Sequence, residues 1–201
     1  MAVAGKVATG FSKPYVALYA ESSGTISYSS GQALARGVSV SVSPEGADDA
    51  NNFYADNILA ESVQGGRFTG GTVTLTVDGL FDTAEKLIYG LPAASSMAVG
   101  ADTVNVYKYG DNASFPYCGV GWITRYMSGG VTSYVATVLR KVAFQPKGDE
   151  AATQEEDIDW QTQELTATIM RDDSANHEWK WFSEDLDSEA DAYAALQAML
   201  A

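Results

Sequence analysis

The sequence predicts a mainly β fold: an antiparallel β-sandwich or open barrel with two flanking α-helices and a long β-hairpin loop. Three observations carry this. Apolar and hydroxyl residues alternate with period two at 38–43, 72–77 and 165–169, the pattern of strands with one buried and one wet face. Nineteen glycines and eleven tyrosines in 201 residues, with many Val/Thr pairs, favour strands joined by tight turns. Two stretches, 82–91 and 188–200, switch to helical spacing behind a capping pattern.

Taken in order, residues 14–20 read as a short first strand, and 22–31 as a Ser/Gly-rich loop with a brief strand at 25–28. Val38, Val40 and Val42 then alternate with Ser39, Ser41 and Ser43. Pro44, Gly46, Asp48, Asp49, Asn51 and Asn52 form a long polar turn, after which Phe53, Tyr54, Ile58 and Leu59 resume an apolar pattern broken at Asp56-Asn57. This reads as a long hairpin with a wide acidic tip. A tip of that size is uncommon in a compact domain unless it has a task. The expected task is docking on a neighbouring copy.

Val73, Leu75 and Val77 alternate with threonines, and Asp82-Thr83-Ala84-Glu85 has the form of a capping box ahead of a helix that stops at Gly90-Leu91-Pro92. Residues 93–103 read as a small-residue loop. Strands return at 104–109, at 115–127 and, after Ser128-Gly129-Gly130, at 131–144. Within 115–127, Gly119 and Gly121 lie opposite the face of Cys118, Val120 and Trp122, and glycines there mark a bulge or a close neighbour. Residues 146–159 form an acidic loop. A strand at 165–169, a short one at 178–183 and a helix capped at Ser188, with a stripe of Tyr193, Leu196 and Leu200, complete the chain. Too little chain follows the acidic loop for a second core, so residues 1–201 are read as a single domain.

Composition excludes several classes. Residues 149–201 hold 15 of the 26 acids but only Arg171 and Lys180 of the 12 bases. A groove gripping nucleic acid is not expected, because it needs clustered Lys and Arg. The start of the chain has no secretion-signal core, and no apolar run is of membrane-spanning length, so no membrane partner is expected. A single cysteine, Cys118, excludes an internal disulfide and fits a reducing cytosol. His177 is the one histidine, set in a polar turn, and no triad or zinc site can be built around it with one cysteine. The acids around Asp48, Asp49 and Asp56, and those at 155–159, lack calcium-loop spacing and read as solvated loop charge. No catalytic residue, metal or cofactor is expected. Trp179 and Trp181 on one strand face offer the first alternative, a sugar-stacking platform in a carbohydrate-binding β-sandwich of a cell-surface or adhesion protein, and a third reading, a carboxylate-based hydrolase, has only the acid clusters behind it.

One run is distinctive: Ser43-Pro44-Glu45 followed by Asn52-Phe53-Tyr54-Ala55-Asp56-Asn57. It resembles the major tail protein, or tail-tube subunit, of long-tailed, siphovirus-type bacteriophages. The resemblance continues more loosely through residues 65–81 and the helix after them, through 158–172, and through the helical C-terminus. It implies a non-enzymatic structural protein of the virion, assembled in the host bacterial cytoplasm. Copies would close into hexameric rings that stack as a tube, meet the tape measure, tail terminator and distal tail proteins, and conduct DNA without binding it specifically. It implies an assembly interface at Pro44, Glu45, Asn52, Phe53, Tyr54, Asp56 and Asn57. In such a tube the acids that repel DNA would come from Glu155, Glu156, Asp157, Asp159 and Glu164.

Overall fold

A computed structural model describes residues 5–46, 51–63, 67–110, 114–146, 148, 153 and 161–201, the side chains of 51–54 and 59–63 excepted. The strands are β1 (Val7–Ser22), β2 (Thr25–Ala33), β3 (Gly37–Gly46), β4 (Asn51–Ala55), β5 (Ile58–Val63), β6 (Phe68–Val77), β7 (Ser95–Val99), β8 (Asp102–Val106), β9 (Tyr117–Ser128), β10 (Val131–Phe144), β11 (Gln163–Met170) and β12 (Lys180–Phe182). The helices are α1 (Asp82–Ile88) and α2 (Glu189–Met199). Among the described residues one antiparallel sheet runs β2-β1-β9-β10-β11-β6-β3, with β12 beside the free stretch of β10. The predicted mainly β architecture with flanking helices is the one observed.

The sheet curls around a single interior. Val16 of β1, Val120 and Trp122 of β9, Leu139 and Val142 of β10, Leu165 and Ile169 of β11, and Val73 and Leu75 of β6 converge in one buried cluster. Phe11 of β1 packs where a side chain on Gly37 of β3 would otherwise stand, so the two strands approach each other without a hydrogen-bonded ladder between them. Ala84 and Ile88 of α1 plug one end. Helix α2 covers the outside of β1, β9 and β10, where Ala192, Leu196 and Leu200 meet Tyr15, Ala17, Ile123, Ala136 and Val138. The close approach depends on two glycines. A Cβ on Gly119 would strike Leu200 and Tyr28, and one on Gly121 would strike Leu196 and come within 2.8 Å of the Thr137 carbonyl. The expectation of a close neighbour opposite the Cys118 face is met, and the neighbour is α2.

Several expectations are corrected. Strand β1 is 16 residues long rather than confined to 14–20. Its pairing with β9 shifts register around Gly10 and between Ser12 and Tyr15, where Lys13 has φ 50° and Pro14 offers no N–H. These breaks hide the strand's periodicity while the ladder continues on both sides. Residues 25–33 form a full strand, because Ser23 and Gly24 (φ 53° and 80°) close a two-residue hairpin turn on β1. The supposed loop at 93–103 contains most of a hairpin, β7 with β8, turned at Gly100 (φ 63°). Helix α1 has no capping box: its N-cap is Phe81, and Asp82 already lies inside the helix. Helix α2 is capped as expected, with the Ser188 side chain accepting from the Asp191 N–H.

The long hairpin is also rearranged. Residues 38–43 do not pair with 53–59. They pair with β6, in a register that puts Val40 opposite Leu75 and Val42 opposite Val73, so both apolar faces enter the core. Pro44, Glu45 and Gly46 continue β3 rather than starting a turn. The tight turn is Asp56-Asn57, with φ 52° and 64°, which joins β4 to β5 in a two-stranded sheet of its own.

Gly121→Ala is expected to destabilise the fold by about 1–3 kcal/mol, because the methyl meets backbone at Thr137 as well as the movable Leu196 tip. Urea unfolding followed by circular dichroism measures this. A neutral result would mean that α2 is not held by this contact.

Candidate assembly surfaces and the network that shapes them

The two sheet edges are open. Among the described residues β2 pairs only with β1, and β3 only with β6. Each therefore leaves a row of backbone N–H and C=O groups unpaired along one side, the usual starting point for pairing with another chain. Pro44 and Glu45 lie at the exposed end of β3, opposite Gly71 and Gly70. A Cβ at Gly71 would stand 2.7 Å from the Ser43 carbonyl, so the glycine lets the two backbones close up at this point. Pro44 is tolerated because β3 is an edge strand.

The β4–β5 hairpin is a two-stranded sheet of its own, lying in the sequence between the last β3–β6 partners, Gly46 and Phe68. Asn52, Phe53 and Tyr54 belong to β4, and their backbones face Ser62, Glu61 and Leu59, with a register shift between Phe53 and Tyr54. Their side chains lie outside the described part. Ala55, Asp56, Asn57 and Ile58 at the tip are all exposed. Of the acids assigned to a lumen, Glu155, Glu156, Asp157 and Asp159 lie outside the described residues, as do Asp48, Asp49 and Trp160. Glu164 is exposed on β11, opposite Thr76.

Glu164 belongs to a surface of one character. The registers align Thr166, Thr74 and Ser41 in one row and Thr168, Thr72 and Ser43 in the next, with Glu164, Thr76 and Ser39 in a third. The opposite faces of these strands hold the core, so this face is outward. None of its strand positions here is Lys or Arg, and α2 does not reach it. The outer side of the sheet is thus divided: a half sealed by α2, and an open half paved with hydroxyls.

A polar network that the sequence did not point to fixes the last third of the chain. Between Leu139 and Val142 the β9–β10 register slips, so Arg140 and Lys141 together oppose Gly119. Both then lie on the same side. Arg140, 5% exposed, donates from Nε to Asp172 Oδ2 at 2.8 Å and stacks on Trp181 with 3.6 Å from Cζ to the ring centroid. Asp172 also accepts from the Ser174 N–H and hydroxyl. Lys141 pairs with Asp173 at 2.6 Å, and the Tyr19 hydroxyl donates to the same carboxylate at 2.8 Å. Burial pushes the Asp172 carboxyl up, but the hydrogen bonds from Ser174 and Arg140 outweigh it and hold the group below the usual carboxylate range. Lys141 and then Tyr19 do the same for Asp173. Burial raises the Tyr28 hydroxyl, which donates to the Arg140 carbonyl, to about 12. The one clue in the sequence was the doublet Arg140-Lys141, two cations in a row in a strand with no other charged residue.

His177 is exposed in a left-handed turn (φ 53°), with Nδ1 3.3 Å from the Asp172 carbonyl. Cys118 is buried, and burial alone pushes its thiol up to about 12. Trp179 and Trp181 do not share a face. Trp179 precedes β12 and stacks on Phe68 with 4.4 Å between centroids, whereas Trp181 turns the other way onto Arg140. Among the described residues no group of His, Cys, Asp and Glu is placed to hold a metal ion, and no helix is long and apolar enough to cross a membrane. No family model matches the chain, and no curated protein matches it.

Asp172→Asn should cost about 3–5 kcal/mol, since it leaves the buried Arg140 charge uncompensated. The carboxyl is held below its unfolded value near 4, so its contribution is complete above that value and is lost as pH falls through the folded one. Acid unfolding curves should therefore steepen below about pH 4 in the parent and be flatter in the variant. Superposable acid limbs would remove Asp172 from the account.

Proposed function

We propose that this chain is a structural subunit that joins copies of itself side by side into rings and stacks them into a hollow tube for DNA, as the phage tail-tube proteins it resembles do. The observation that carries the reading is the divided outer face of the sheet. Ser39, Ser41, Ser43, Thr72, Thr74, Thr76, Thr166 and Thr168 offer hydroxyls, with Glu164 as the acid among them. A wall of this kind hydrates well, yet it gives a passing polyanion no cation whose counterions could be released, so DNA slides past without being held. Within a screening length of about 8 Å at physiological salt, a carboxylate at Glu164 adds repulsion. The two open edges, β2 and β3, suit the lateral joint of a ring, because a head-to-tail contact between unlike edges leaves none exposed. The stretch from Pro44 to Asn57 is the interface element of this reading, and the virion is the expected location.

Electron microscopy of concentrated protein should display rings or tubes. Sedimentation showing a monomer at every concentration would overturn the reading. Val38→Lys on the exposed side of β3 should leave the fold intact and impede ring closure, since edge lysines block strand addition. Glu164→Lys should leave tubes intact while slowing DNA ejection from particles that carry it, because the change repeats in every subunit. Normal ejection would place this face on the outside of the tube.

A further inference from the structure

The β4–β5 tip and a groove elsewhere in the chain have complementary features. At the tip, Ile58 is 69% exposed, and Asp56 has no ion pair or hydrogen bond among the described residues. Both turn residues have left-handed φ, which makes the tip a stiff two-residue hairpin turn. The groove, about 490 Å³, lies where β9 and β10 run on past the end of β11 and β12 takes over as the neighbour of β10. Tyr126, Val135 and Thr137 line it. Phe182, opposite Thr137 and 72% exposed, gives it an apolar lip. Lys180 shares that face of β12 and meets no carboxylate at ion-pair distance among the described residues. Lys6 and Asp185, which pair with each other, and Glu184 also line the groove.

We propose that the groove receives the β4–β5 tip of a second copy, with Ile58 against Phe182 and Asp56 at Lys180. The proposal rests on the reading that copies assemble, and it names the surface the hairpin meets. An exposed apolar side chain two residues from an acid without an ion partner faces an exposed apolar side chain two residues from a base that sits over the Trp179 ring, 5.9 Å from its centroid, with no carboxylate beside it among the described residues. Each patch leaves its apolar surface in water when alone, and each charge finds its opposite when they join. In its own chain the tip stands exposed and the groove stands open, so the fit is made between copies. The two patches differ, so the contact is heterologous and propagates from copy to copy, closing a ring where the rotation permits.

Asp56→Lys and Lys180→Asp tested separately and together decide it, with assembly followed by sedimentation velocity across a concentration series. Both side chains are exposed, and because Asp56 holds a left-handed φ that Asn keeps more readily than Lys, Asp56→Asn is run beside Asp56→Lys to separate loss of charge from strain in the turn. Each single reversal should raise the half-assembly concentration roughly tenfold, and the double reversal should return it to within about threefold of the parent. Oxidised Asp56→Cys/Lys180→Cys protein should give a reducible ladder of oligomers on a gel, since Cys118 is buried. A link formed only within one chain would mean the hairpin folds back onto its own groove, and would overturn the proposal. Single reversals that assemble like the parent, or a double no better than either single, would overturn the groove contact and leave the tube reading standing. A parent that never assembles would remove both.

Discussion

The ion pair between Arg140 and Asp172 holds the architecture of the second half of the chain together. It ties the segment after β11 back onto β10 at the point where the β9–β10 register slips. From that anchor, Trp179 is carried to Phe68, Trp181 closes over the guanidinium, and β12 is laid along β10. A buried pair of this kind is weak evidence for stability by itself, since desolvation offsets much of its attraction. Its effect here is on placement. Ser174 donates to the other oxygen of Asp172 and Trp181 covers the guanidinium face, and these contacts specify one path for residues 171–182.

That path decides which surfaces the chain offers. Because β12 replaces β11 along β10, the sheet is staggered, and the β9–β10 ribbon extends past β11, edged by β12 and by the bridge from Leu186 to Tyr134. The exposed Phe182 and the groove beside it exist only because of this stagger. Similarly, α2 can seal half of the outer sheet because Gly119 and Gly121 let it approach, while the half built from β11, β6 and β3 stays open. The molecule is finished on one side and unfinished on the other. Unpaired edges, a detached hairpin and exposed apolar side chains are costly to keep in a monomer, and they are the features that copies of a repeating assembly cover for one another.

The β7–β8 hairpin adds to this picture. Met97 faces Val104 across the pair, with Val99 beside them and all three well exposed, while Ser96, Ala98, Thr103 and Asn105 occupy the other face. Two strands alone are marginal in water, and a hairpin with one apolar face gains most from a neighbour.

The strand faces were legible from the sequence alone. Alternation at 38–43, 72–77 and 165–169 named the residues that point inward, because the pleat leaves no other choice once one side must be dry; Val38, at the register shift that opens β3, is the exception and stays exposed. The bounds of β10, the turn at Gly129-Gly130 and the cap at Ser188 followed from local chemistry that needs only a few neighbouring residues. What the sequence could not decide was partnership. Residues 38–43 have two apolar candidates downstream, 53–59 and 72–77, and only the curled barrel selects the second, because that register buries Val40 and Val42 against Leu75 and Val73. Strand β1 disappeared from the periodicity where its register shifts, since an extra residue flips the faces and only the partner strand shows that the ladder continues. The separation of Trp179 from Trp181, and the meeting of Arg140 with Asp172, depend on residues far apart in the chain. Such pairings are fixed by tertiary packing, to which local propensity contributes nothing.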